Sequence, residues 1–435
     1  MKSDPFAIFE RGTLPRWLKV RQRLEATEIT DIPAAIAAEF AKPGIGESIT
    51  PGTRVAITAG SRGIDRIAQV IRAVADQVKA RGGQPFIVPA MGSHGGATAE
   101  GQTELLAHYG ITEEAMGCPI KASMDTVLLG EVHHDDEDVP VYFDRIAFEQ
   151  ADAVIVVGRV KPHTDFHGPI ESGLMKMIAI GLGKQKGADV FHSRSFPVFH
   201  TLIPAVGLFT LSRVNIPFGI ALVENGYSRI GLIEAVPNKR VLEREQELLK
   251  IAREWLGRLP GERLDLLIVD EIGKDVSGDG ADPNVINRDI SGLLAKSELN
   301  PRPTIQRIIF RDLTRDTEGN ATGIGMADVV LRRLVDKVDW AATYINGVTA
   351  KHPEGGKIPL IAENDRQAIY IALASCFRTQ PETARIARIR STKYVEEFWI
   401  SEPFLPEALA SGRVEPLTEP QPIVFDEQGM LATPL

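Results

Sequence analysis

Short continuous apolar runs alternate with amphipathic stretches along most of this chain. Thr53 to Thr58 (TRVAIT) has the length and apolar character of a buried strand. It runs into a turn, Ala59-Gly60-Ser61-Arg62-Gly63, and then into Ile64 to Ala80, where apolar residues recur at helical spacing. Gln84 to Val88 (QPFIV) predicts the next strand, the loop Pro89 to Thr98 follows, and a helix is expected to about Tyr109. Upstream, Asp31 is placed to cap a short amphipathic helix within Ile29 to Phe40. Strand, glycine turn and helix in repeated order imply parallel strands whose glycine-rich loops share one edge of the sheet, the edge at which open α/β sheets bind ligands.

The pattern continues downstream. Residues 119–142 alternate short β-like runs with an acidic loop, His133 to Asp138, and Ala153 to Val157 (AVIVV) is the strongest strand in the chain. Ile216 to Val223 and Arg229 to Ala235 read as a further strand pair, followed by a charged helix from Lys239 to Leu256. Arg258-Leu259-Pro260-Gly261 then marks a boundary. A second α/β set begins with Leu264 to Asp270, which ends in the loop EIGKDVSGDGADPN. Thr304 to Phe310 predicts a strand, and Met326 to Val335 and Asn364 to Ala374 predict helices. The tail after Glu402 is proline-rich and expected to wrap the surface. The expected architecture is two Rossmann-like α/β lobes, residues 1–260 and 261–435, with the active site in the cleft between them.

At 435 residues two domains are the prior. A composition of 43% hydrophobic and 25% charged residues is that of an ordinary globular protein. The net charge of −9 argues against nucleic acid or an anionic membrane as the main partner, while leaving room for a small anionic substrate met by local basic residues. Two cysteines, Cys118 and Cys376, are too few for a disulfide framework or a thiolate metal cage. Acids stand where a signal peptide needs an apolar core, and no apolar run reaches the ~18–20 residues of a membrane span. A cytoplasmic protein is expected.

The chemistry concentrates between Lys161 and His192 (KPHTDFHGPIESGLMKMIAIGLGKQKGADVFH), which holds His163, His167 and His192, the acids Asp165 and Glu171, and Lys176 within an apolar run. A lysine in such surroundings either reaches for water with its tip or carries chemistry, because desolvation favours the nucleophilic free amine. His163 and His167 are four residues apart, but Pro162 and Gly168-Pro169 favour a loop over a helix that would aim both at one metal. His94 lies in Gly92-Ser93-His94-Gly95-Gly96, a loop flexible enough to let a ligand approach closely. Arg62 in the first βα turn suits a carboxylate or phosphate. Gly181-Leu182-Gly183-Lys184 is not a P-loop, since Ile178 stands at the first glycine position and Gln185 replaces Ser or Thr. The Gly60 turn lacks a dinucleotide spacing, and no Tyr-x-x-x-Lys supplies a short-chain dehydrogenase pair.

Over most of residues 50–200 these motifs resemble the lactate racemase family, the nickel-pincer-nucleotide-dependent 2-hydroxy acid racemases and epimerases. The resemblance implies a pyridinium mononucleotide tethered through a thioamide to Lys176, with nickel held by the nucleotide and by His192. It implies His94 and His163 as acid/bases, with His167 as the alternative to His163. It also implies Ser61 and Arg62 beside the cofactor, with Arg62 on the substrate carboxylate. Lys274, placed after a second-lobe strand, is a further candidate for that carboxylate. Enzymes that build the cofactor are the implied partners. The family's Asp-His-Thr-Arg turn is here Ala59-Gly60-Ser61-Arg62, the interval from His163 to Lys176 is longer, and glycine follows His94 where arginine is frequent. These departures point to a divergent subgroup with a different 2-hydroxy acid. The competing reading is a zinc-type hydrolase or lyase that gathers His163, His167 and His192 around one metal.

Overall fold

The computed structural model describes residues 5–61, 63–194, 196–292 and 303–434. The chain forms two compact units. One is Glu25–Leu256; the other combines Met1–Leu24 with Gly257–Leu435. The first strand, β1 (Trp17–Gln22), therefore belongs to the same unit as the C-terminal half.

The Glu25–Leu256 unit opens with α1 (Ile32–Phe40), β2 (Arg54–Ala59), α2 (Ile67–Ala80), β3 (Gln84–Pro89), α3 (Ala99–His108) and α4 (Glu113–Met116). A hairpin of β4 (Thr126–His134) and β5 (Glu137–Asp144) leads to α5 (Arg145–Gln150) and β6 (Ala153–Arg159). Then come α6 (Leu174–Lys176), α7 (Lys184–His192), α8 (Phe199–Arg213), β7 (Phe218–Glu224), β8 (Ile230–Pro237) and α9 (Val241–Trp255). Five strands form one sheet in the order β3-β2-β6-β7-β8, parallel except for the antiparallel edge strand β8. Successive side chains of a strand point to opposite faces. Val55, Ile57, Ile155 and Val157 accordingly enter a core with α1 and α2, whereas Ala56, Val154 and Val156 enter a second core with α8 and α9. On α2 the buried residues Val70, Ile71, Val74 and Val78 fall on one face, each contributing about 1.5–3 kcal/mol by leaving water.

The expected strand–turn–helix order is present, with one adjustment at α2. The helix starts at Ile67, not Ile64, because Arg66 adopts a left-handed backbone (φ 47°) that interrupts helical geometry. Asp31 caps α1 as expected, accepting from the Ala34 N–H at 2.9 Å.

The other unit comprises β1, β9 (Arg263–Ile272), α10 (Pro283–Ile286), β10 (Thr304–Leu313), β11 (Val329–Leu331), α11 (Arg332–Val335) and α12 (Trp340–Thr349). It continues through β12 (Leu360–Ala362), α13 (Asp365–Ala374), β13 (Ile386–Ile389), β14 (Glu397–Ser401), α14 (Leu405–Ala410) and β15 (Val414–Pro416). These strands form an eight-stranded sheet ordered β12-β11-β10-β9-β13-β14-β1-β15. β9 to β13 pair in parallel, and β14, β1 and β15 add antiparallel strands. Met326–Val335 is not one helix as its spacing predicts. Val329–Leu331 joins the sheet, because a short apolar run packs equally well as a buried strand. The tail is held rather than loose: Trp17 and Gln421 exchange backbone hydrogen bonds, and the Leu431 N–H donates to Asp365 at 2.8 Å. Among the described residues no helix is long and apolar enough to cross a membrane.

Candidate active site

Three loops leave the carboxyl edge of the five-stranded sheet, after β2, β3 and β6, and the turn that carries Lys176 joins them. Gly60 has so little room that a Cβ there would lie 3.3 Å from Met177 Cε, and one on Gly158 would lie 3.1 Å from Met177 Cγ. On the other side the Gly92 N–H donates to the Gly181 carbonyl at 3.1 Å. Lys176 closes α6, and the chain continues as a π-helical turn over Met177–Gly181. Such widened turns recur at functional sites. Leu174, Met175, Ile178 and Ala179 are buried around the partly exposed lysine, as the apolar run predicts. The N-terminus of α6 is met by Glu245 of α9, whose carboxyl oxygen accepts from the Met175 N–H at 2.9 Å. Complete burial pushes the Glu245 carboxyl up to about 8.

His163 Nε2 lies 2.5 Å from Lys176 Nζ. The backbone N–H of Asp165 donates to His163 Nδ1 at 3.0 Å, so the uncharged ring carries its hydrogen on Nε2. A free amine with its lone pair toward the ring completes that pattern, which an ammonium, having no acceptor, cannot do. The loop holding His163 is tied to Glu171. This fully buried carboxylate accepts from the His163 N–H at 2.5 Å, the Gly168 N–H at 3.2 Å and His167 Nδ1 at 3.3 Å. Arg253 of α9 supplies the countercharge at 2.5 Å and also donates to the Gly168 carbonyl. His167 is thus oriented by Glu171, and His163 is the histidine against the lysine.

His94 sits on the neighbouring loop, exposed at its tip. Its Nδ1 is hydrogen-bonded to Ser61 Oγ from the loop after β2. Gln102 of α3, fully buried, donates to the carbonyls of Gly92 (3.1 Å) and His94 (3.2 Å) and so braces the loop from within. Gly95 is required there. Its backbone is left-handed (φ 66°), and a Cβ would fall 2.7 Å from the Gln102 nitrogen. Lys184, the lysine of the false P-loop, is buried: its ammonium donates to the Pro89 carbonyl at 2.6 Å and lies 2.8 Å from the Asp144 carboxylate. It pins the end of β3 to the turn after Lys176.

His192 ends α7 and stacks on Phe199, with centroids 6.2 Å apart and planes 16° apart. Phe199 contacts Phe166 at 5.5 Å, and Phe166 lies 4.3 Å from the His163 ring and 5.6 Å from Lys176 Nζ. An aromatic bridge therefore leads from His192 to the lysine. Among the described residues no three His, Cys, Asp or Glu side chains converge as a metal site. This corrects the expectation of a His163, His167 and His192 cluster: Asp165 and Lys176 engage the first ring, Glu171 the second, and the third stacks on Phe199. Arg62 lies outside the described residues. Lys274 belongs to the other unit, where its Nζ donates to the Gly278 carbonyl at 2.7 Å. Sequence reading missed Glu245, Arg253, Gln102 and Lys184. For the α9 pair the available signal was position: Glu245 and Arg253 are separated by eight residues, so both lie on the packed face of one helix.

No family model matches the chain, and neither does any curated protein. Solved structures are similar to it at low sequence identity. One is a Thermotoga maritima protein determined as a Northeast Structural Genomics Consortium target, with 13% identity and a TM-score of 0.49 over 77% of this chain and 84% of that one. Another is the lactate racemase apoprotein from Thermoanaerobacterium thermosaccharolyticum, with 12% identity and a TM-score of 0.48 over 86% of this chain and 94% of that one.

Proposed function

We propose that this chain is a nickel-pincer-nucleotide-dependent racemase or epimerase of a 2-hydroxy acid, with Lys176 as the tethering residue. The observation that carries the reading is the 2.5 Å contact between Lys176 Nζ and His163 Nε2. Acylation acts on the uncharged amine, the one form of lysine that can accept a hydrogen bond from an imidazole N–H. The residues also fit the group's metal demand. A nucleotide that brings its own soft donors would need one protein ligand, not three, and an imidazole together with sulfur donors would suit Ni(II). His192, its ring plane set by Phe199, would be that ligand. When bound, the group supplies a carbon that takes the C2 hydride of the substrate and returns it.

The remaining work falls to the protein. His94 and His163 handle the substrate hydroxyl proton, imidazole being suited to either role near neutral pH. Glu171 and Arg253 hold the His163 loop, and Phe166 and Phe199 give the site apolar walls. The zinc-type hydrolase reading has no ligand cluster among the described residues to support it.

The test is co-expression with the cofactor-building enzymes, followed by mass spectrometry of the peptide containing Lys176. An added nucleotide mass, absent from Lys176→Arg, is expected together with bound nickel. His192→Ala should keep the adduct and lose the metal, and His94→Ala should keep both while interconversion falls by ~10²–10⁴. Unmodified Lys176 without nickel would rule the reading out.

A further inference from the structure

The two candidate histidines have unlike partners on Nδ1. At His163 the hydrogen-bond partner is the backbone N–H of Asp165 at 3.0 Å, which can only donate, with the Asp165 carboxylate farther from the same nitrogen at 3.7 Å. At His94 it is the Ser61 hydroxyl, which can also accept. Both ends of the second contact are fixed from elsewhere. The Tyr109 hydroxyl donates to the Ser61 carbonyl at 3.0 Å, Gln102 donates to the His94 carbonyl at 3.2 Å, and the His94 N–H donates to the Met91 carbonyl at 3.2 Å. The hydrogen on one ring nitrogen is set by the bond that the other makes. A hydroxyl that accepts keeps the ring hydrogen on Nδ1, so that Nε2 carries a lone pair in place of a hydrogen. A donor-only N–H forces the opposite tautomer.

We propose that Ser61 is the positioning residue for His94, accepting from Nδ1–H so that Nε2 is the proton acceptor, while His163 is held in the opposite form with Nε2–H. Nε2 is then an acceptor on His94 and a donor, facing Lys176 Nζ, on His163. The consequence for turnover rests on the racemase reading above; the tautomers themselves do not.

The experiment uses full-length protein with 15N-labelled histidine, at a pH where both rings are uncharged. Long-range 1H–15N correlation reads the tautomer of each, assigned with His94→Gln and His163→Gln. His94 is expected as Nδ1–H and His163 as Nε2–H. Ser61→Ala should shift His94 toward Nε2–H and leave His163 unchanged, and Ser61→Thr should restore the wild-type pattern. In cofactor-loaded enzyme Ser61→Ala should lower kcat by about ten-fold or more with KM nearly unchanged, and Ser61→Thr should recover most of it. A His94 ring already in the Nε2–H form, or one indifferent to Ser61→Ala, would overturn the proposal. If the tautomers behave as stated but Lys176 never acquires the nucleotide, the racemase reading fails alone.

Discussion

Glu171 and Glu245 are both fully buried and have opposite electrostatic surroundings. Glu171 has Arg253 at 2.5 Å and backbone donors on both oxygens, so its charge is compensated. Removing one partner of such a pair costs about 3–5 kcal/mol. Glu245 has backbone N–H partners at the start of α6, and burial raises its carboxyl from 4.5 to about 8. The folded form therefore keeps a proton that the unfolded chain releases near 4.5. Stability from this group is fully present below that pH and is lost as pH rises toward 8. Glu245→Gln should flatten the decline, leaving the variant more stable than wild type above pH 8 and comparable near pH 5. Urea midpoints across that range check it, and parallel curves for the two proteins would contradict it. Spacing puts Glu245 and Arg253 on one face of α9, but in the sequence they read as two charges on a charged helix, and only tertiary packing shows that this face is the dry one. The burial around Lys176 and the glycine-built loop around His94 were legible because an apolar run and flanking glycines are written in adjacent residues.

The π-helical turn after α6 is the element on which the three loops converge. It places the Gly181 carbonyl to accept from Gly92 and leaves no space beside the chain, since a Cβ on Gly181 would fall 2.7 Å from the Ala90 carbonyl oxygen. Gly181→Ala should push the His94 loop away from the Lys176 turn and cost about 1–3 kcal/mol, the usual range for overpacking. Faster amide exchange at Gly92 in the variant checks this; unchanged protection there would mean that the turn does not hold the loop. The parallel strands of this unit were readable from runs such as AVIVV, which strands buried on both faces require. The widened turn was not, because one extra residue per turn leaves the apolar spacing of LMKMIAIGL consistent with an ordinary helix. Val329–Leu331 fails for a related reason: three residues carry too little periodicity to separate strand from helix.

Across the whole molecule, the chain divides into Glu25–Leu256 and a second unit that joins residues 1–24 to Gly257–Leu435, and the placing of residues 1–24 does not follow from sequence order. A strand of six residues with mixed polarity, WLKVRQ, has no local feature that names its partners; the pairing of Trp17 with Ser401 and of Val20 with Pro416 is a long-range result. Trp17 is fully buried with its ring 5.2 Å from Trp399, and Arg388, which pairs with Asp270, lies 5.9 Å from that ring. Trp17→Ala should destabilise this unit by about 3–5 kcal/mol and leave Glu25–Leu256 unaffected. Thermal unfolding read by Trp399 fluorescence and by a probe on α9 would then show two separated transitions where the wild type shows them closer together; an equal loss in both would contradict it. The same pairing orders events during synthesis. β1 is made before any residue of Glu25–Leu256, whereas its neighbours β14 and β15 are made after all of it. The Glu25–Leu256 unit has all its strands as soon as it clears the ribosome, but the larger sheet cannot close around β1 until β14 and β15 have been translated. Until then a strand edge stays unpaired, the interval in which a holding chaperone has the most to protect.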